Sequence, residues 1–331
     1  MTAEGSAPVG DMADELTTLL VRALGPGNRI QSIERQPSPF VTVFPAEVLT
    51  LTPGDGRKVR VFLKYLGVQQ PDQPDKQRRD REVRVYEQLL CGGDGLPVAQ
   101  YFGSRWDARS ARHELYLEHV DDWSLRYHDL DHWFNAAACL ADLHAHFARR
   151  ADELLACDFL LKLDEGYFAA WAGRAQAAVA QQSSDLGGRV EQIRGEYSAA
   201  CELMARQPPT LVHNDLAGKN VIADRSSTPA RICIIDWELA GIGCGLLDLV
   251  HLKYGLDPAN DERMTAIYRA QLSATNLLPQ DDREMSRLLA ACELHKTLYR
   301  LAHSPAWKLP LDRLAEWVTD AEILVKRVLE T

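Results

Sequence analysis

Apolar residues alternate with polar ones through much of the first third of the chain, and from Asp121 onward they recur at helical spacing instead. Residues 11–24 predict an amphipathic helix closed by Gly25-Pro26-Gly27. Three strand-like runs follow: Ser32–Arg35, Thr42–Thr52 and Arg57–Leu66. The first two are separated by Gln36-Pro37-Ser38-Pro39-Phe40, the last two by the turn residues Pro53-Gly54-Asp55-Gly56. Residues 68–77 are polar, carry two prolines and read as a loop. A charged helix is expected over Gln77–Leu90, ended by Gly92-Gly93-Asp94-Gly95, with two further strands at Val98–Ser104 and His113–Val120.

The remainder reads as mostly helical. Residues 129–148 place Leu130, Trp133, Phe134, Ala137, Ala141, His144 and Phe147 on one stripe, and helices also fit 164–183 and 189–206. After Pro208-Pro209 come short strands at Thr210–His213, Asn220–Ala223 and Arg231–Asp236, and then helix from Leu246 to the end. Gly241-Ile242-Gly243-Cys244-Gly245 lacks the full dinucleotide fingerprint and is expected to be a flexible turn. The pattern describes an α+β protein with a small β-rich lobe and a larger helical one. The expected boundaries are a disordered segment at 1–10, a first lobe at 11–118, a hinge at 119–124 beside a cleft, and a helical lobe at 125–331.

Charge and cysteine usage narrow the function classes. Net charge is −10, made up of −1 over residues 1–118 (15 Lys+Arg, 16 Asp+Glu) and −9 over 119–331 (22 and 31). Nucleic acid is a poor partner for such a surface, and an acidic second half would favour a cationic small molecule. The odd count of seven cysteines, without C-x-x-C spacing, argues against a disulfide framework or a structural zinc site. No apolar run approaches the roughly 20 residues of a membrane span. No secretory signal is evident at the start, so a cytoplasmic location is expected.

The densest chemistry lies in Leu211-Val212-His213-Asn214-Asp215-Leu216-Ala217-Gly218-Lys219-Asn220-Val221-Ile222, which reads H-x-D-x-x-x-x-N between apolar strands. Sixteen residues after Asn220, the apolar run 232–235 ends in Asp236. Phosphoryl transfer requires cations across the phosphates and a group that orients the attacking hydroxyl. Hard Mg²⁺ prefers oxygens such as those of Asn220 and Asp236. Asp215 can accept a hydroxyl proton. In the first lobe Lys64 sits in Val61-Phe62-Leu63-Lys64-Tyr65, the place for a phosphate-binding lysine. Glu82 shares a helix face with Val85, Tyr86 and Leu89, and a carboxylate on an apolar stripe needs a partner; Lys64 is the natural one.

On these residues the chain resembles the aminoglycoside phosphotransferase / choline kinase superfamily, whose members share the bilobal protein-kinase fold. His213–Asn220 is similar to its catalytic loop, and Ile234-Ile235-Asp236-Trp237-Glu238-Leu239-Ala240-Gly241 to its metal-binding strand. Glu82-Val83-Arg84-Val85-Tyr86 and Leu140-Ala141-Asp142-Leu143-His144-Ala145 match further patterns. The resemblance implies ATP or GTP with Mg²⁺ as cofactors, Asp215 as base, Asn220 and Asp236 as metal ligands, and Glu82 orienting Lys64. By the same resemblance His213 braces the loop, Asp248 supports it, and His144 is a core histidine. Glu118 and Val120 would present backbone groups to the adenine. The first β-turn departs from the kinase pattern because it has no glycine, so Ser38 and neighbouring N–H groups are expected to serve the phosphates there. Glu238, His251 and Tyr254 are acceptor-site candidates by position alone.

A protein kinase is a weaker reading, because Asp248 comes only twelve residues after Asp236 and no activation segment fits. An H-x-D…H non-haem iron oxygenase would use His213, Asp215 and His251 or His295, but in a mostly helical region and with Lys64 unexplained. A catalytically inert pseudokinase module would lack the lysine, base or metal ligands, all of which are present. The expected acceptor is a hydroxyl-bearing small molecule such as an aminoglycoside or other antibiotic, amino sugar or amino alcohol. Its identity, the oligomeric state, and a resistance, biosynthetic or metabolic role are left open by the residues.

Overall fold

The computed structural model describes residues 14, 16–39, 44–67, 74–76, 78–92 and 95–330. The expectations for residues 1–10, for Thr42 and Val43, and for most of the 68–77 loop therefore lie outside the described residues. The chain forms two compact units: residues up to Trp123 with Ile222–Glu238, and Ser124–Val221 with Leu239 to the C-terminus. The first unit thus takes in residues 222–238, which the sequence pattern grouped with the helical lobe.

The first unit is built on an antiparallel sheet of five strands, β1 (Ile30–Pro37), β2 (Ala46–Pro53), β3 (Val59–Leu66), β4 (Tyr101–Asp107) and β5 (Arg112–Glu118), in the order β1-β2-β3-β5-β4. Period-two alternation divides β3 between two faces. Val61, Leu63 and Tyr65 join a core with Leu20, Leu24, Leu49, Leu51 and Tyr116, supplied in part by the short helix α1 (Val21–Leu24). Phe62 and Lys64 alternate onto the other face, where Lys64 pairs in register with Ala46 of β2 and Leu115 of β5. Between β3 and β4 lies α2 (Arg81–Arg84), which continues as a wider π-helical turn over Val85–Leu90. The hairpin β8 (Val221–Asp224) and β9 (Arg231–Ile234) joins this unit through a parallel bridge from Val98 to Ile234 and a 2.7 Å bond from Ile234 N–H to the Pro97 carbonyl.

The second unit is helical: α3 (Leu130–Ala148), α4 (Ala151–Ala156), α5 (Glu165–Gln182), α6 (Ser184–Glu196), α7 (Ser198–Ala205), α8 (Leu246–Leu252), α9 (Pro258–Gln271), α10 (Asp282–His303) and α11 (Leu311–Leu329). The expected helix 189–206 is two helices that break at Tyr197, a fully buried residue whose hydroxyl bonds the His295 ring. The glycine-rich stretch expected to be a flexible turn is instead β10 (Gly241–Gly243), the middle strand of a small sheet between β6 (Leu161–Lys162) and β7 (Thr210–Val212). Glycine is required there by close packing, since a Cβ on Gly243 would meet Leu163 at 2.8 Å. All seven cysteines are free, and among the described residues no helix is long and apolar enough to cross a membrane.

Candidate active site

In the first unit Lys64 is gripped by two carboxylates. Its Nζ lies 2.6 Å from Glu82 Oε2 and 2.6 Å from Asp236 Oδ1. Glu82 is 2% exposed, so its charge depends on that partner. Burial alone would lower the Lys64 ammonium, but Asp236, Glu82 and Glu238 outweigh it and hold the lysine well above its ordinary range. Burial pushes the Glu82 carboxyl up, against the pull of Lys64. Asp236 follows β9 in a left-handed conformation (φ 70°), which Asp and Asn tolerate better than most residues.

Glu238 belongs to this cluster. Its carboxylate pairs with Lys76, and its backbone carbonyl accepts from Arg81 Nη1 at 2.7 Å. The Arg79 guanidinium stacks 4.9 Å above the Phe44 ring, with Nε and Nη2 buried and lacking any hydrogen-bond acceptor among the described residues. Ser38 is buried and its N–H donates to the Ala46 carbonyl at 2.8 Å, so that donor is committed within the sheet. The Glu118 carboxylate pairs with Arg231 and its N–H donates to Gln100 O at 2.8 Å. Val120 packs with Ala99 and Cys233 in a small apolar cluster edged by the half-buried Ile222 and Ile235.

In the second unit β7 runs into the loop carrying His213, Asn214 and Asp215. One buried side chain holds its bend: Asp248 at the start of α8 accepts from His213 N–H at 2.7 Å and from Asn214 N–H at 2.8 Å. His144 of α3 lies between Asp248 (3.3 Å) and the Tyr268 hydroxyl (2.6 Å). His213 Nδ1 accepts from Asp215 N–H at 3.2 Å, and Asn214, itself left-handed (φ 67°), donates to the Tyr167 hydroxyl at 2.9 Å. Asp215 is a third exposed and pairs with Lys219 at 3.2 Å. Asn220 Nδ2 donates to the Asp215 carbonyl (2.8 Å) and carboxylate (3.2 Å). The amide nitrogen is thereby committed and the amide oxygen remains as a donor for a cation. That amide oxygen and, within the first unit, the Asp236 carboxylate are each hard oxygens of the kind Mg²⁺ prefers.

Asp248→Ala leaves two buried N–H groups unsatisfied, an expected cost of about 2–6 kcal/mol. Thermal unfolding should show that loss together with a lower kcat. Unchanged turnover in a folded Asp248→Ala protein would show that the loop needs no clamp.

Of the remaining sequence candidates, His251 feels the charge of His213 in this loop, and Tyr254 lies among cations of α10. His251 is buried beside Tyr299, its ring centroid 6.4 Å away, and burial with the nearby Lys296 holds its pKa well below the usual range. Tyr254 is exposed, and two of the protein's own cations cover it: Arg300 at 4.2 Å and Lys296 at 5.1 Å from the ring centroid. Burial brings the Lys296 ammonium down to about 7; the Asp215 charge opposes this fall and Arg300 adds to it. Arg79, Lys296 and Arg300 were not singled out by motif or periodicity. A lone cation carries no sequence signal, whereas its failure to meet an acid is visible only in three dimensions. Among the described residues no group of three His, Cys, Asp or Glu side chains converges as an iron triad would require.

Residues 54–288 match the family described as "Phosphotransferase enzyme family". The fold is similar to that of a provisionally assigned aminoglycoside phosphotransferase from Ralstonia eutropha JMP134 (TM-score 0.62, 12% identity, 96% of this chain and 98% of that one). It is also similar to a choline kinase from Cryptosporidium parvum Iowa II (0.58, 12%, 96% and 94%). A third likeness is to the GDP complex of a mutant aminoglycoside 2′-phosphotransferase-IIIa (0.57, 16%, 96% and 97%). No curated protein matches the chain by sequence.

Proposed function

Because the chain belongs to the phosphotransferase enzyme family, we propose that it transfers the γ-phosphoryl group of ATP or GTP to a hydroxyl of a small molecule. The observation that carries this is Lys64, held 2.6 Å from both Glu82 and Asp236. Such an arrangement aims a permanently charged ammonium while leaving a carboxylate at the end of β9 beside it. A lysine of this kind binds the α- and β-phosphates, and Glu82 keeps it in place. Arg79 offers two further donors that lack acceptors among the described residues, which phosphate oxygens would satisfy. Ile222, Ile235 and Val120 offer an apolar surface to a purine, with backbone groups of Glu118 and Val120 as its polar contacts.

Asn220 and Asp236 would hold Mg²⁺, which neutralises phosphate charge when bound. Asp215 orients the acceptor hydroxyl and takes its proton as the oxygen bonds to the γ-phosphorus. The bond from that phosphorus to the β–γ bridging oxygen breaks, and the nucleoside diphosphate leaves. The eleven residues between Asp236 and Asp248 are occupied by a 3₁₀ turn, β10 and the start of α8, which favours a small acceptor over a peptide. The solved neighbours named for choline and aminoglycosides point the same way. A screen for ADP or GDP release over aminoglycosides, nucleoside antibiotics, sugars, amino alcohols and hydroxy acids should find acceptor-dependent turnover with ATP or GTP and Mg²⁺. If every acceptor leaves nucleotide turnover at its basal level, the proposal fails.

A further inference from the structure

The second unit is acidic overall, yet close to Asp215 the local charge is reversed. Lys296, Tyr299, Arg300 and His303 fall at i, i+3, i+4 and i+7 on α10, so they form one stripe. All four are half-buried. Two other cations of this unit meet acids: Lys253 pairs with Asp261 at 2.6 Å and Glu293 at 3.3 Å, and Arg189 with Glu322 at 2.7 Å. Lys296 and Arg300 have no ion-paired carboxylate among the described residues, and the charges of Asp215 and Asp320 reach them only from beyond ion-pair distance. Next to the stripe, the Trp171 and Tyr299 ring centroids lie 4.4 Å apart with planes tilted by 50°, and Trp171 Nε1 is buried without a hydrogen-bond acceptor among the described residues.

Two half-buried cations without a carboxylate, Arg300 meeting only the Tyr254 hydroxyl, and one buried indole N–H without an acceptor are costly unless a ligand supplies the missing oxygens. Two aromatic faces beside the stripe, those of Tyr254 and Trp317, are already taken by the protein's own cations. Arg300 lies 4.2 Å from the Tyr254 centroid and 3.7 Å from that of Trp317, and Lys296 covers Tyr254 as well. An ammonium-bearing acceptor would find filled rings and like charge. An anion would pair both cations, restore the charge that burial strips from Lys296, and sit within electrostatic range of Asp215.

We propose that the acceptor is an anionic alcohol, a hydroxy acid whose carboxylate is bound by Lys296 and Arg300, with Trp171 Nε1 as a further donor. This replaces the cationic acceptor expected from net charge. It rests on the phosphotransferase proposal for the reaction, but not for the binding.

The test uses the full chain and acceptor sets of matched skeleton. One set is gluconate, sorbitol and glucamine; another is 4-hydroxybutyrate, 1,4-butanediol and 4-amino-1-butanol, with 3-hydroxypropyl phosphate added as a phosphate arm. Binding is measured by calorimetry and turnover by nucleoside diphosphate release. The carboxylate member of at least one set should bind about ten-fold or more tightly than its neutral partner, as one charge-assisted hydrogen bond warrants, and the amine most weakly. Lys296→Gln and Arg300→Gln should each erase that preference while Lys296→Arg keeps most of it, with thermal unfolding confirming that each variant is folded. Equal or tighter binding of neutral or amine members overturns the proposal. So does a preference untouched by both glutamine variants, or no carboxylate binding at all. Tighter binding of the phosphate than of any carboxylate overturns the choice of carboxylate. Carboxylate binding without transfer from ATP or GTP instead counts against the phosphotransferase reading and leaves the acceptor charge standing.

Discussion

Asp215→Asn should lower kcat by about 10²–10⁴-fold, the range supplied by a positioned general base, and leave nucleotide affinity nearly unchanged. The loop geometry predicts such a clean separation. Asp215 is fixed through its backbone, by its N–H to His213 and its carbonyl to Asn220, so an isosteric amide keeps the bend. What it loses is the capacity to take a proton. The ion pair with Lys219 disappears as well, but that lysine is half exposed and its loss costs little. Single-turnover phosphoryl transfer and nucleotide binding, measured on the same preparation, decide the matter. Full turnover by Asp215→Asn would remove it from the role of base.

Lys64→Met should have the second large effect, on stability as well as binding. Glu82 then remains buried with Asp236 nearby and no countercharge, which typically costs 3–5 kcal/mol, or about that much here. Nucleotide affinity falls with the lost phosphate contact. Lys64→Arg should not rescue affinity, because a forked guanidinium cannot take the place of a compact ammonium between two carboxylates at 2.6 Å. The double variant Lys64→Met/Glu82→Met separates the two effects: it should recover most of the stability and none of the nucleotide binding. If the double variant is no more stable than Lys64→Met alone, the buried charge is not the cause.

Much of this was written locally along the chain. Lys64 stands on a strand whose alternation places it opposite the core. Glu82 stood out because it interrupts an apolar stripe, and the structure brings the two together. Asp215 and Asn220 sit in one short loop between recognisable strands. Features that depend on chain segments meeting from afar were harder to read. Two- and three-residue strands such as β6 and β10 carry too few positions for a period, and glycines chosen for tight packing look the same as glycines chosen for a turn. The π-helical turn at Val85–Leu90 leaves no mark in hydrophobic spacing. Net charge pointed in the opposite direction from the neighbourhood of Lys296 and Arg300, because a sum over 213 residues cannot show which cations lack an acid beside them.

The clamp by Asp248 also sets an order of events when the chain folds. The bend at His213 and Asn214 draws its hydrogen-bond acceptors from a residue about 35 positions downstream. On a ribosome, residues 213–220 emerge before their clamp has been made. During refolding, the β7 strand pairs with β10 at a similar separation, but the two loop N–H groups lack their acceptors until the start of α8 has docked. Recovery of activity should therefore trail recovery of helical signal, and the interval measures how long Asp248 takes to become buried.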